Sequence, residues 1–310
     1  MAKQTETREG VELTSLDSPL FSGADATKRD LIAYLEAVAE PLLRELAGRP
    51  LSVVRVRPGQ QPFMQKNLPD HAPAFIRRTT VWSEAGNREI HYPLCDDLRT
   101  LLWFGNQRAV EYHPTLMLPE LADPPERTEI LAGRVTHLVL DIDPPEGSGF
   151  DVVVGAARLV QQALADCGLA GALKTSGSKG VHIIVPVREH ELADAAAATR
   201  ALAARAERLD ADLATTAYIK ADRGGKVFLD ATRSGGASLA CAYSPRVRPG
   251  TTVSFPVAWD DLDGVTPADF TLTSVMSMLD GDPWARSLPS PQEVPGELIE
   301  EGRTIPVARV

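Results

Sequence analysis

Apolar residues recur at helical spacing through Leu31, Leu35, Val38, Leu42, Leu43 and Leu46, which predicts an amphipathic helix. Thr27 and Asp30 stand at the spacing of a helix-starting box, and Gly48-Arg49-Pro50 stops the pattern. Pro41 should kink this helix, because proline lacks the N–H and crowds the preceding turn. Leu51–Val56 alternates as a strand does, and Pro58-Gly59 supplies a turn. A second helix is expected from Asp96 to about Tyr112, carrying Leu98, Leu101, Leu102 and Val110. An acidic connector with prolines (Pro119–Arg127) follows. Val135–Leu140 then reads as a buried strand that runs into Asp141-Ile142-Asp143. Further on the pattern predicts a helix from Phe150 to Cys167, a strand over Val181–Val187 and an alanine-rich helix over Glu191–Ala214. A strand over Val227–Leu229 ends at Asp230, and Thr252–Pro256 and Leu272–Leu279 read as a strand and a short helix. The first 25 residues read as a polar, loosely ordered extension, and the last 20 or so as a proline-rich tail. Strands alternating with helices favour a mixed α/β or α+β core.

With 310 residues, 44% of them hydrophobic, the chain is long and apolar enough to bury a substantial core. No apolar run is long enough to span a membrane, and the N-terminus lacks the layout of a secretory signal. Cys95, Cys167 and Cys241 form no C-x-x-C pair, which argues against a disulfide framework and a zinc ribbon and points to a reducing cytoplasm. The net charge of −10 disfavours nucleic acid as a partner at first sight. Between Ala217 and Gly250, however, six basic residues (Lys220, Arg223, Lys226, Arg233, Arg246, Arg248) face two acids. That segment is either a phosphate-binding patch or a solvated basic loop.

Asp141 and Asp143 are two apart at a strand end, so both carboxylates point to one side. Two anions so close repel unless a cation sits between them, and their hard oxygens suit Mg²⁺ or Mn²⁺. Asp230, closing another apolar run, can add a third carboxylate, the layout for in-line nucleotidyl transfer. Alone, an Asp-x-Asp before proline also fits a strand-ending turn, or the diphosphate site of a glycosyltransferase. Lys174-Thr175-Ser176-Gly177-Ser178-Lys179-Gly180-Val181-His182 reads as a phosphate cradle leading into a strand, without the spacing of a P-loop.

"LVLDIDPPEG", "KTSGSKGVHIIVP" and "KVFLDATRSG", in that order, resemble the three catalytic motifs of the polymerase domain of bacterial end-joining ligase D, within the archaeo-eukaryotic primase superfamily. "TKRDLIAYLEAVAEPLLRELAGRPL", "PFMQKNLP", "YPLCDDLRTLLWFGNQRAVEYH" and "AYSPRVRPG" agree, and the likeness covers roughly residues 13–285. The resemblance implies an α+β primase-polymerase fold: an RRM-like antiparallel catalytic sheet flanked by helices, merged with an N-terminal α/β lobe. The expected division is an extension 1–25, an N-terminal lobe 26–130, a catalytic lobe 131–288 and a tail 289–310.

It further implies that Asp141, Asp143 and Asp230 bind Mn²⁺ (or Mg²⁺) and catalyse. Ser176, Lys179 and His182 would hold the incoming triphosphate with Arg246, and His113 would approach the nucleotide's sugar or base. Phe63, Lys66 and Lys28 would meet DNA. The implied activity is a primase-polymerase that adds nucleotides, preferably NTPs, to a 3′-OH and fills short gaps in DNA repair. Its partners would be gapped or 3′-overhang DNA, NTP or dNTP, a separate ligase and an end-binding protein, in a bacterial, nucleoid-associated setting. A non-catalytic DNA-end-bridging module is the alternative.

Three departures stand out. The family's second N-terminal lysine is Ser18 here, so weaker discrimination for a downstream 5′-phosphate is expected. The DNA-facing aromatic pair is Phe63-Met64. The loop after Asp230 is one residue short and lacks a later cation, for which Arg233 is the candidate substitute. With no ligase or nuclease motif beside it, the chain reads as a stand-alone polymerase.

Overall fold

Thr27 caps the first helix as its sequence requires: the Asp30 carboxylate accepts from the Thr27 N–H at 2.7 Å while the Thr27 hydroxyl accepts from the Asp30 N–H. These details come from a computed structural model, which describes residues 5–83, 86–118, 128–129, 134–235 and 237–307. The connector expected at 119–127 lies outside the described residues. The chain divides into two compact units, each discontinuous in sequence: 1–130 with 238–255 and 268–282, and 131–237 with 256–267 and 283–310.

The first unit opens with β1 (Glu6–Arg8) and β2 (Val11–Leu13), an antiparallel pair inside the stretch read as loosely ordered. Helix α1 (Lys28–Ala37) breaks at Val38 before α2 (Ala39–Leu46), the kink expected from Pro41. Next come β3 (Leu51–Arg55), β4 (Phe63–Gln65), β5 (Arg78–Ser83), β6 (Arg88–Pro93), α3 (Leu98–Asn106), β7 (Ala109–Pro114), β8 (Met117–Leu118) and β9 (Thr128–Glu129). One sheet has the order β4-β3-β7 and another β6-β5-β9. α1 and α3 pack closely at Gly105, where an added Cβ would lie 2.8 Å from Ile32 Cδ1 and Leu35 Cδ1.

The helix predicted to reach Tyr112 therefore ends at Asn106. Arg108 adopts φ +59°, outside the helical region, and Ala109–Pro114 becomes a buried strand paired with β3. The Val-Glu-Tyr-His run favours extended backbone, and pairing with β3 completes a sheet that a longer helix would leave open.

The second unit is built on β10 (Arg134–Asp143), α4 (Asp151–Asp166), β11 (Ala172–Thr175), β12 (Val181–Glu191), α5 (Leu192–Leu209), β13 (Ala214–Thr215), β14 (Val227–Asp230) and β15 (Pro256–Val257). The main path of its sheet runs β13-β14-β10-β12-β11-β15, antiparallel except at β13–β14. β10 is central, and Leu138–Ile142 are all buried, because helices α4 and α5 cover the sheet. A curled, antiparallel-rich sheet flanked by helices is the α+β arrangement the resemblance implied.

Helix α6 (Leu272–Met278) returns to the first unit. α7 (Pro283–Ser287) and α8 (Gly296–Thr304) complete the second. α8 lies in the segment read as a proline-rich tail. It docks on the alanines of α5 so closely that a Cβ on Gly302 would meet Ala197 O at 1.8 Å, and Glu301 pairs with Arg205 and Arg208. The strand predicted over Thr252–Pro256 is reduced to bridges at Thr252 and Val253 and the start of β15.

Candidate active site

The carboxylates come together because of strand register. β10 lies between β12 and β14, with Asp141 opposite His182 on one side and Asp230 on the other. Asp143, two residues along, shares the Asp141 face. One oxygen from each of Asp141, Asp143 and Asp230 lies within 4.8 Å of the others. Asp141 and Asp230 are buried and Asp143 is half-buried. Burial, then the neighbouring Asp143 charge, pushes the Asp141 carboxyl up to about 7, against the pull of Arg233. Burial and Asp230 likewise raise Asp143.

Three carboxylates set this close, two of them raised by burial and by neighbouring charge, are a donor set that a hard divalent cation would relieve. Among the described residues this is the one such cluster, and it contains no His or Cys donor. The residues therefore fit a divalent metal.

Arg233 is the cation supplied by the chain itself. Its Nε and terminal nitrogen both stand 3.3 Å from Asp141 Oδ2, and Nε is 3.4 Å from Asp230 Oδ2. Burial would lower its affinity for protons, but the three carboxylates raise it. The short turn that carries Arg233 is pinned from below: the buried Ser234 hydroxyl accepts from Val139 N at 2.9 Å and from the Thr199 hydroxyl at 2.9 Å. Thr232 fixes Asp230, donating to its Oδ1 from backbone (2.8 Å) and side chain (2.6 Å).

The cradle closes against the same strand. Gly177 adopts φ +65°, and Gly180 packs so tightly that a Cβ there would lie 1.9 Å from the carbonyl oxygen of Ile142, the residue between Asp141 and Asp143. Ser176 N donates to Gly180 O, and the buried Ser176 hydroxyl accepts from Ser178 N and Gly180 N at 3.2 Å each. Ser176 thus shapes the loop, while Lys179 is exposed beside it. His182 Nε2 stands 3.4 Å from Asp141 Oδ1, and its Nδ1 meets Lys174 Nζ at 2.6 Å. Lys174, the first residue of the motif read as a phosphate cradle but given no role of its own there, is buried on β11 against His182. Its signal was a lone lysine in an apolar strand.

The first unit holds the other expected residues. His113 Nε2 contacts Glu111 Oε2 at 2.8 Å along β7, and Arg246 Nε lies 3.2 Å from the same oxygen. Burial alone would raise the Glu111 carboxyl; the His113 contact, the Arg246 charge and a 2.8 Å bond from Val247 N hold it down at about 2. Glu111 was missed because a lone acid between apolar residues reads as a surface position. Phe63 is half-buried under Arg57, whose guanidinium stands 4.8 Å over the ring. Met64 and Lys66, alternating with it, are exposed. Lys28 is buried, and its Nζ donates to Thr14 O and Asn106 Oδ1 at 2.6 Å each.

Four of the six cations of the locally basic segment have partners within the chain. Lys226 donates to Ala211 O, Arg223 to Ala217 O and Tyr218 O, Arg233 turns to the carboxylates, and Arg246 pairs with Glu111. These four half-buried cations thus have separate partners, while Lys220 and Arg248 are exposed.

A carboxylate trio on an antiparallel sheet beside a glycine-serine loop is the arrangement of a nucleotidyltransferase of the primase-polymerase class. Residues 27–284 match the family described as "LigD, primase-polymerase domain", and the chain belongs to that family of nucleotidyltransferase polymerases. It is 34% identical over 280 residues to the multifunctional non-homologous end joining DNA repair protein LigD of Mycobacterium tuberculosis, covering 88% of this chain and 36% of that protein. It is 30% identical over 297 residues to the bifunctional LigD of Bacillus subtilis, covering 93% of this chain and 46% of that protein. The chain thus spans less than half the length of these relatives. The polymerase domain of M. tuberculosis ligase D, solved in complex with DNA, superposes with a TM-score of 0.81 at 32% identity, over 89% of this chain and 97% of that one. No helix among the described residues is long and apolar enough to cross a membrane.

Proposed function

We propose that this chain is a template-directed polymerase that adds nucleotides, with a preference for NTPs, to a DNA 3′-OH and fills short gaps during end joining. The observation that carries this reading is the close-set trio Asp141, Asp143 and Asp230 beside the Ser176–Gly180 loop. Mn²⁺ or Mg²⁺ held by the trio would activate the attacking oxygen and neutralise the departing diphosphate. The chain's own contributions are positional and electrostatic. Lys179, on the loop that Ser176 shapes, receives the triphosphate, His182 donates to it, and Arg233 limits repulsion among the carboxylates. His113, held by Glu111, approaches the sugar or base, with Arg246 assisting at the triphosphate. Phe63 and Lys66 meet the template strand, and gapped or 3′-overhang DNA is the partner, a separate ligase sealing the product.

Primer-template extension with Mn²⁺ or Mg²⁺ and each NTP or dNTP tests the reading. Asp141→Ala and Asp143→Ala should remove extension while leaving the fold intact. Extension that persists in either variant would sink the mechanism. Full cellular repair by both variants would instead identify a bridging module.

A further inference from the structure

Helix α5 presents Ala196, Arg200, Ala203 and Ala204 on one face, at i, i+4, i+7 and i+8 spacing. The three alanines end at Cβ, so this face leaves space that longer side chains would fill. Across from it, β13 pairs with β14 at Ala214–Val227 and Thr215–Phe228, and the pairing stops there. The segment after α8 adds Ile305 and Val307 as a further wall. Between these elements, within the second unit, lies a cavity of about 370 Å³. That is inside the range of small-molecule sites, about 300–1,000 Å³.

Most of the lining is apolar, and two of its large side chains, Tyr218 and Val307, are exposed. Among the described residues, Arg200 is the one charged residue in the wall. Its Nη2 donates to Gly302 O at 3.1 Å, and its Nε is buried without a hydrogen-bond partner. A guanidinium carries five N–H donors, so most of its capacity is unused. Burial lowers its hold on the proton, and no acid opposes that pull. A half-buried cation lacking a counter-charge is costly unless an anion joins it.

The acids of α5 are engaged elsewhere. Asp194 pairs with Arg303, and Glu207 accepts from the Thr216 hydroxyl at 2.6 Å. They stand six and seven residues from Arg200, about 9 and 10.5 Å along the helix axis. A single cation in an apolar wall selects the amount of charge as well as its sign. A triphosphate would bring several negative charges to one guanidinium and bury the rest unpaired. A monoanion with a compact apolar body suits both the charge and the wall.

The position of the cavity gives it a second meaning. Ala231 and Thr232 line it, and Thr232 holds Asp230 Oδ1 through both its N–H and its hydroxyl. An occupant therefore rests on the turn that orients one carboxylate of the trio.

We propose that this cavity is a ligand site for a small apolar carboxylate, an aryl or branched-alkyl acid. Its carboxylate pairs with Arg200, and its body packs between the α5 alanines and Ile305. The site shares no residue with the triphosphate loop, and its occupant reaches Asp230 through Thr232.

Calorimetric titration of the wild-type chain with phenylacetate, and with phenylacetamide as its neutral counterpart of similar shape, tests the assignment. The acid should bind about tenfold more tightly than the amide, the scale of one charge-assisted hydrogen bond. Arg200→Met keeps an apolar stem but removes the charge, and should bring the two affinities within about twofold. Ala204→Leu grows into the cavity from a half-buried position and breaks no hydrogen bond, so it should weaken acid and amide alike at an unchanged Tm. Hydrogen exchange locates the occupant: phenylacetate should slow the amides of residues 229–232 in the wild type and not in Arg200→Met. Absence of phenylacetate binding, equal affinity for acid and amide, a preference that survives Arg200→Met, or protection confined to other segments would each overturn the inference. None of these readouts involves nucleotide addition, so primer extension remains a separate test of the polymerase reading.

Discussion

Gly180→Ala is the smallest change that separates the cradle from the carboxylates. Gly180 is not at positive φ, so alanine suits its backbone and the whole effect comes from contact. The new Cβ would sit 1.9 Å from Ile142 O and 3.1 Å from Ile142 C, and Cβ contacts under 3.0 Å are essentially never seen. The loop must therefore retreat by at least about 1.1 Å from a main-chain atom that cannot rotate away. That retreat strains the Ile142–Val181 register and the two bonds joining Gly180 to Ser176. Overpacking on this scale costs about 2–4 kcal/mol. A displacement near 1 Å in a positioning loop lowers turnover about 100-fold. Urea unfolding and single-nucleotide extension kinetics measure both. Gly264→Ala, with nothing within 4 Å and no positive φ, is the control that should change neither. A Gly180→Ala protein with wild-type stability and kcat/KM within threefold would refute the claim that close approach of this loop to β10 builds the site.

Two further outcomes follow from buried polar contacts. Lys174→Met keeps the buried volume but removes the donor at His182 Nδ1, so the imidazole should lose its fixed orientation; kcat/KM for nucleotide should fall about tenfold with little change in Tm, and unchanged kinetics would show that Lys174 is only structural. Glu111 has its carboxyl near 2 in the folded chain against an ordinary 4.5, so its stabilisation is fully present above the ordinary value and is lost as pH falls from about 4.5 towards 2. The linked free energy is about 3 kcal/mol. In Glu111→Gln, stability measured by denaturant titration should therefore be lower than wild type at pH 6 and converge with it towards pH 2, whereas parallel curves would remove the depressed carboxyl as the cause.

Much of the site was legible because its logic is local. The i, i+2 spacing of Asp141 and Asp143 on an apolar run specifies one face of a strand whatever the rest of the chain does, and Gly177 and Gly180 announce a loop that approaches another backbone. The third carboxylate needed more, since only the β10–β14 register brings Asp230 opposite Asp141, and the motif resemblance supplied what periodicity could not. The misreadings share a physical origin in long-range pairing. Ala109–Pro114 has apolar residues compatible with a continuing helix, yet β3, over 50 residues earlier, offers hydrogen bonds that extended backbone alone can use. The cations between 217 and 250 are close in sequence, yet four of the six are divided among carbonyl and carboxylate partners from both neighbouring and remote segments.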